Sequence, residues 1–347
     1  MNDHLKIFQI HRGLLFSIGY RMMGSADDAE DLLQDAYLKF TRQDLTLTRN
    51  PRALLVTILT RLAIDQKRSA YERKRSYPGP WLPEPMIDGF EESLALADTA
   101  SAAFLLVLER LSPVERAVFL LRDVFDFDYS EIAGIVRKRE DYCRKIAQRS
   151  REAAKAQNKH YAMPEKRKKE LLTSFQIACA AGDLKSLVQL LTEDVQMYTD
   201  SGGKIVAARK VVFGALNVSK FFVGLSSKAG GWFSVPVQIG RDPGLILFES
   251  DGTINSVSQF EFNEDKLHRF YGVRNPEKLR RIQAWIRRSP RLRLKVFFYK
   301  WVARAMHLRY GRRMQGNPAA GIRRGDNDFS TGKPFARHRD PNKFQDE

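Results

Sequence analysis

The sequence predicts a multi-domain chain: two small all-α domains, the second ending in a helix-turn-helix, followed by an α+β domain. Three observations predict it. Apolar residues recur at helical spacing through residues 1–70 and again through 101–160. A proline-rich stretch separates these two blocks. After residue 164 the pattern shortens to strand-like runs bounded by Gly, Pro, Asn and Asp. A chain of 347 residues is also too long for one compact core.

In the first block, Ser25-Ala-Asp-Asp28 is a capping-box-like helix start, with acidic residues in the first turn where the helix dipole favours them. Ala29, Leu32, Leu33, Ala36, Tyr37 and Phe40 then make one apolar face. Asp28, Glu30, Asp31, Gln34 and Asp35 lie opposite as an acidic stripe. Such a stripe is most often a solvated face; the alternative is a docking surface for a basic partner helix. Asn50-Pro51 starts another helix, with a good N-cap and proline at the first position. It is expected to bury Leu55, Ile58, Leu59 and Leu62 and to expose Arg61, Asp65 and Arg68.

Residues 70–100 hold four of the chain's 14 prolines and are expected to be extended. Trp81, Leu82, Met86 and Phe90 would be costly to leave in water, at about 25 cal/mol per Å² of apolar surface. The linker is therefore expected to dock on something. Beyond it, Leu111-Ser-Pro-Val-Glu115 is another capping box. A short helix at 130–137, a tight turn and a helix at 139–155 complete a helix-turn-helix. Ile132, Ala133 and Val136 can pack on Cys143, Ile146 and Ala147. Glu140, Asp141, Arg144, Lys145 and Arg149 then face outward, which suits a recognition helix in a DNA major groove. Arg144 could pair bidentately with a guanine. Alone, the same charged face suits an ordinary helical bundle equally well.

In the third block a helix near 165–181 closes at Gly182-Asp183, and strands are expected at 194–200, 232–239, 244–249, 254–262 and 266–273. With a helix near 208–225, this reads as a helical pair on a curved antiparallel sheet. Residues 276–347 begin as basic helix and end in a Gly/Asn/Asp/Pro-rich tail expected to be disordered. The stretch 292–310 is amphipathic and basic. It could lie on a membrane surface, touch nucleic acid or polymerase, or pack Val296, Phe297, Trp301 and Met306 onto the preceding domain.

Residues 276–347 carry 19 Lys and Arg against 6 Asp and Glu, so of the net +17 only +4 belongs to the rest of the chain. An anionic partner is implied without its kind being fixed. Cys143 and Cys179 sit in no metal-ligand pattern, so neither a metal nor a disulfide framework is expected, no cofactor is implied, and a reducing cytoplasm is the default. The first residues lack the apolar run of a signal peptide, and no stretch is long enough to span a bilayer.

Taken in order, these segments resemble the extracytoplasmic-function sigma factors of bacteria. Asp-Asp-Ala-Glu-Asp-Leu-Leu-Gln-Asp-Ala-Tyr-Leu at 27–38 is similar to the clamp-binding helix of region 2. Asn50-Pro-Arg-Ala53 through Leu62-Ala-Ile-Asp65 and Arg68 resembles the part of region 2 that recognises and melts the −10 element. Leu111 to Arg122 and the helix-turn-helix resemble region 4, which reads the −35 element. Trp81-Leu-Pro-Glu-Pro85, Asp200-Ser-Gly-Gly-Lys204 and Asn275-Pro-Glu-Lys-Leu279 resemble the signatures of a subgroup with a SnoaL-like C-terminal domain. The implied boundaries are region 2 at 1–72, linker at 73–100, region 4 at 101–160, SnoaL-like domain at 164–279 and basic tail at 280–347.

What the resemblance implies is as follows. Asp28, Glu30, Asp31, Gln34 and Asp35 bind the clamp of the largest subunit of core RNA polymerase. Asn50, Arg61, Asp65 and Arg68 engage −10 promoter DNA. Glu140, Asp141, Arg144, Lys145 and Arg149 read the −35 element. The loop with Asp200, Gly202, Gly203 and Lys204 contacts the linker at Trp81, Leu82, Pro83, Glu84 and Pro85 and sets the spacing of regions 2 and 4. The C-terminal domain, with or without a ligand, takes the place of a dedicated anti-sigma factor. Four positions depart from the pattern: Ser201 and Arg137 stand where glycine is usual, Glu277 replaces Asp, and Arg139 replaces a Ser/Thr cap, a loss worth about 1 kcal/mol. Two rivals remain: a DNA-binding regulator acting without polymerase, and a SnoaL-like isomerase or cyclase with Asp194, Asp200 or His268 as base.

Overall fold

The computed structural model describes residues 3–74, 77–87, 102–155, 163–228, 232–240 and 242–314. Phe90 and the tail beyond 314 lie outside them.

Helices α1 (Asp3–Met23), α2 (Ala26–Phe40) and α3 (Pro51–Lys74) form the first unit. Ser25 caps α2 by accepting the Asp28 N–H, and Asn50 Oδ1 accepts the Ala53 N–H at the start of α3. The second unit is α4 (Ala102–Leu108), α5 (Pro113–Phe119), a π-turn (Leu120–Val124), α6 (Tyr129–Val136) and α7 (Glu140–Lys155). Ser112 and Glu115 cap α5 reciprocally. Asp128 and Glu131 do the same for α6. Arg137, in the turn between α6 and α7, has φ 55° and ψ 50°, left-handed backbone that a side chain adopts at a cost of about 1–2 kcal/mol. The helix-turn-helix geometry is kept despite the missing glycine.

The two units share one core. Leu15, Phe16, Leu55 and Leu59 pack in the same cluster as Leu120, Ile132, Cys143 and Ile146. The guanidinium of Arg52 stands 4.8 Å over the Phe127 ring.

The third unit begins with α8 (Glu165–Ala181), closed by left-handed Gly182. It continues through α9 (Leu184–Leu190), β1 (Leu191–Asp200), β2 (Val212–Phe213), α10 (Ala215–Lys228), β3 (Phe233–Ile239), β4 (Asp242–Phe248), β5 (Ile254–Asn263), β6 (Lys266–Val273), α11 (Pro276–Arg288) and α12 (Pro290–Met314). The strand order is β2-β1-β6-β5-β4-β3.

The sheet differs from the expectation in one pairing: β1 and β6 run parallel, because the meander β3–β6 brings β6 back beside β1 in the same direction. Two boundaries also differ. Asp183 caps α9 through the Ser186 N–H, so residues 184–190 coil before β1 begins. The helix expected at 208–225 starts only at Ala215, because Val212 and Phe213 pair with Met197 and Gln196 of β1.

Alternate residues divide the sheet into two faces. Val195, Met197, Phe260 and Phe270 meet α8, α9 and α10 in one core. Its rings, Phe175, Phe222, Phe260 and Phe270, stand 5.0–6.1 Å apart. The other face, with Val235, Ile246, Phe248, Val257, Tyr271 and Val273, is covered by α11, by linker residues Leu82 and Ile87, and by Ala102 and Ala103 of α4. The expected boundary at residue 279 falls inside α11, whose Leu279, Ile282 and Ile286 belong to this second core.

Candidate nucleic-acid and linker interfaces

Along α2, Asp31, Gln34 and Asp35 are exposed beside Leu38, which is 56% exposed. Glu30 holds the Arg12 guanidinium through both oxygens at 2.7 and 2.8 Å, so the stripe is partly engaged within its own unit. Asp28 is half-buried. Asp27, one residue earlier, pairs with Arg280 and Arg281 of α11 at 3.1 and 3.3 Å. The third unit thus lies against the first turn of the acidic helix.

On α3, Asp65 and Arg68 are exposed, while Asn50 acts as the N-cap. Arg61 was expected to face solvent and does not. Its Nε donates to the Ile135 carbonyl at 2.9 Å and its Nη2 to the Gly134 carbonyl at 2.8 Å. These carbonyls end α6, where a helix leaves C=O groups unpaired and the dipole favours a cation. Arg61 therefore ties α3 to the helix-turn-helix. A second tie is buried. Glu109 Oε1 accepts from Lys67 of α3 at 2.9 Å and from Arg116 of α5, while Arg116 Nε donates to the Arg21 carbonyl at 2.8 Å.

On α7, Asp141, Arg144, Lys145 and Arg149 are exposed and Glu140 is half-buried. Arg144 pairs with Glu140 at 2.5 Å and covers the Tyr129 ring at 4.6 Å, so base contact would need it to turn away.

The linker is where the structure brings the predicted residues together. Asp200, at the end of β1, is fully buried. Its Oδ2 accepts the Leu82 N–H at 2.9 Å and Lys278 at 2.7 Å. Its Oδ1 accepts the Tyr77 hydroxyl at 2.5 Å and the Gly202 N–H at 3.0 Å. Burial and this bond to Asp200 raise the Tyr77 hydroxyl well above its ordinary range. Lys278 also donates to the Leu82 carbonyl and lies 4.3 Å over the Trp81 ring. Asn275 Nδ2 reaches the Tyr77 oxygen at 3.1 Å, and Lys204 pairs with Glu277. At Gly203 (φ 72°) a Cβ would stand 2.5 Å from Pro78, so the loop approaches the linker only as glycine. Ser201 is not in the left-handed region, and its substitution for glycine is unstrained.

On its other side the same linker grips the first unit. Trp81 lies so close to Gly24 (φ 76°) that a Cβ there would stand 2.5 Å from its ring. The Glu84 N–H donates to the Gly24 carbonyl at 2.8 Å, and Tyr20 donates to the Glu84 carbonyl at 2.6 Å. The Glu84 carboxylate accepts the Ala26 N–H at 2.8 Å, at the N-terminus of α2.

Burial pushes the Glu84 carboxyl up to about 7, and Asp27 adds to it; the Ala26 N–H, Arg281 and Lys278 act against the rise. Docking favours the protonated form. Its stabilisation is complete below the ordinary carboxylate range and is lost as pH rises through about 7. The melting temperature should therefore fall relative to that of a Glu84→Gln variant between about pH 5 and about pH 8. Parallel curves for the two proteins would refute this.

The enzyme candidates are scattered. His268 Nδ1 lies 3.4 Å from Asp194, whose side chain is 76% exposed, and 3.1 Å from Thr192; Asp200 is on the linker. No group of three or more His, Cys, Asp or Glu among the described residues is placed to hold a metal ion.

Residues 7–73 match Sigma-70 region 2, and residues 101–153 match Sigma-70, region 4. Over 229 residues the chain is 38% identical to the ECF RNA polymerase sigma factor SigJ of Mycobacterium tuberculosis, an alignment spanning 64% of this chain and 73% of that one. The chain belongs to the extracytoplasmic-function sigma factors. It directs promoter-specific transcription initiation as a subunit joined to core RNA polymerase. This sigma factor is also 28% identical to the probable ECF sigma factor SigI of the same species over 211 residues, 59% of this chain and 73% of that one. The crystal structure of SigJ superposes with a TM-score of 0.63 at 29% identity, covering 80% of this chain and 98% of that one. The sigma factor's third unit is accordingly an α+β domain fused to regions 2 and 4.

Proposed function

We propose that the SnoaL-like domain restrains this sigma factor by clamping its interdomain linker, and that the arrangement described above is the resting form. The observation that carries the reading is the buried Asp200 carboxylate on the Leu82 N–H, with Trp81 of the same linker seated on Gly24 of region 2. One linker segment is held from both sides. In this form Arg61 of the −10 helix is engaged by region 4, and α11 flanks the clamp-binding helix at Asp27.

Simultaneous reading of −10 and −35 elements requires the two regions to separate. About 25 base pairs at 3.4 Å each is roughly 85 Å, a span that two domains sharing one core cannot reach. Opening would free Arg61 with Asn50, Asp65 and Arg68 for −10 DNA, and Arg144 with Glu140, Asp141, Lys145 and Arg149 for the −35 element. Asp28, Glu30, Asp31, Gln34 and Asp35 would meet the polymerase clamp.

Restraint built into the chain asks for no dedicated anti-sigma factor, and the protein works in the cytoplasm with polymerase. We assign no catalytic step, since Asp200 serves the linker and Asp194 faces solvent. A ligand could act only by its differential affinity for the closed and open forms. Where the linker crosses the sheet, Tyr20, Glu84, Val257 and Tyr271 leave about 10 Å³, room for one water, so a ligand on that face would have to displace the linker.

The test is run-off transcription with core polymerase on fragmented genomic DNA, comparing the full chain with residues 1–163, which hold their own core. Discrete start sites that strengthen on truncation support restraint. Equal or weaker initiation from the short protein would reverse the sign assigned to the domain.

A further inference from the structure

Helix α12 has two apolar faces. Leu292, Val296 and Tyr299 pack into the core beneath the sheet, and Lys295 donates to the Pro236 carbonyl of β3 at 2.7 Å. This face fixes the helix along the domain surface. The opposite face carries Leu294, Phe297, Phe298 and Trp301, spaced i, i+3, i+4, i+7, a single stripe. They are 71%, 69%, 56% and 64% exposed. An outward helix face is ordinarily polar, and a contiguous apolar patch on a surface marks an interaction site.

The flanks say what covers it. At 100° per residue, Arg291 borders one edge of the stripe, and Arg293 and Lys300 border the other. The surrounding sequence is one-signed: residues 278–325 contain 15 Lys and Arg and no Asp or Glu. An apolar stripe with Trp and Phe at its centre and cations on both edges matches a membrane interface, where rings enter the acyl boundary and cations meet anionic headgroups. Duplex DNA would satisfy the cations but offers phosphates and sugars, not apolar surface, to four large side chains. Among the described residues no helix is long and apolar enough to cross a membrane, so the contact is in the plane of the interface.

We propose that α12 is a docking surface for an anionic lipid bilayer, by which the SnoaL-like domain rests on the membrane face. This goes beyond restraint of the linker and does not depend on it: the ion pairs described above between the third unit and region 2 are made by Arg280 and Arg281 of α11, not by the stripe.

The test is flotation of the full chain with vesicles of about one-third phosphatidylglycerol in phosphatidylcholine, against pure phosphatidylcholine. Binding is expected to the anionic vesicles only and to weaken with salt. The variant Phe297→Ser/Trp301→Ser should lose roughly tenfold or more in partitioning. Arg291→Gln/Arg293→Gln/Lys300→Gln should bind less and with a shallower salt dependence. Arg291, Arg293, Phe297 and Trp301 are exposed and Lys300 is half-buried, so melting temperatures should change little and certify the fold. Three results would overturn the proposal: no flotation with anionic vesicles, equal flotation by the Phe297/Trp301 variant, or loss of duplex DNA retention in that variant with vesicle binding intact. The last would assign the face to nucleic acid.

Discussion

Replacing Asp200 with alanine should release the linker from the α+β domain. The side chain is fully buried and satisfies three groups from outside its own loop: the Leu82 N–H, the Tyr77 hydroxyl and the Lys278 ammonium. Removing one partner of a buried, hydrogen-bonded ion pair costs about 3–5 kcal/mol, because the other charge stays buried without compensation. Lys278, with its side chain 12% exposed, would lose its carboxylate and keep the Leu82 carbonyl and the Trp81 ring, so the lower part of that range is expected. Amide hydrogen exchange at Leu82 should accelerate by a hundredfold or more in the variant, since each 1.4 kcal/mol is about tenfold. Amides of the core formed by α8, α9 and α10 should be little changed, as that face does not touch the linker. Run-off initiation should rise in parallel. Unchanged protection at Leu82 would show that Trp81 and the apolar contacts of Leu82 hold the linker by themselves, and the clamp would lose its polar component.

The legible parts of this protein are those whose signals are local. Ser112 with Glu115, and Asn50 with Pro51, announce helix starts within four residues, and both caps form. The linker's apolar residues predicted docking, and Leu82 and Met86 are buried. The clamp residues were reached through the resemblance of three short motifs, not from their chemistry. The illegible parts depend on partners far away in sequence. Nothing around Arg61 indicates that carbonyls 73 and 74 residues later will hold it. The parallel pairing of β1 with β6 follows from the path of the whole meander. Helix α9 was missed because seven residues are too few to show a period. On α12 the packing alternative grouped Val296 with Phe297 and Trp301, but Val296 alone of these packs on the domain, because both faces of the helix are apolar and periodicity cannot say which one is buried.

Glu109 is the other point where one side chain decides an arrangement. Its carboxylate stands between Lys67 of α3 and Arg116 of region 4, and Arg116 is wholly buried, its Nη2 without a hydrogen-bond partner among the described residues. Burial pulls the guanidinium's affinity for its proton down, and Glu109, with Tyr20 behind it, acts against the fall without cancelling it, so the cation leans chiefly on this counter-charge. Glu109→Gln should therefore cost about 3–5 kcal/mol. The loss falls on the seam between regions 2 and 4, because the Lys67 and Arg116 ammonium and guanidinium groups can regain water only if the regions part. Small-angle scattering should show a larger radius of gyration. Binding to core polymerase should tighten, since the closed form that competes with it is weakened. A variant that merely unfolds is distinguished by adding Arg116→Met and Lys67→Met. Replacing a whole buried ionic cluster with apolar groups of similar volume is often neutral, so the triple variant should regain compactness and lose the gain in core affinity. If Glu109→Gln alone leaves the radius and core affinity at their original values, the seam is held by its apolar contacts and by Arg61 on the α6 carbonyls. The route to opening would then run through those carbonyls and not through the buried triad.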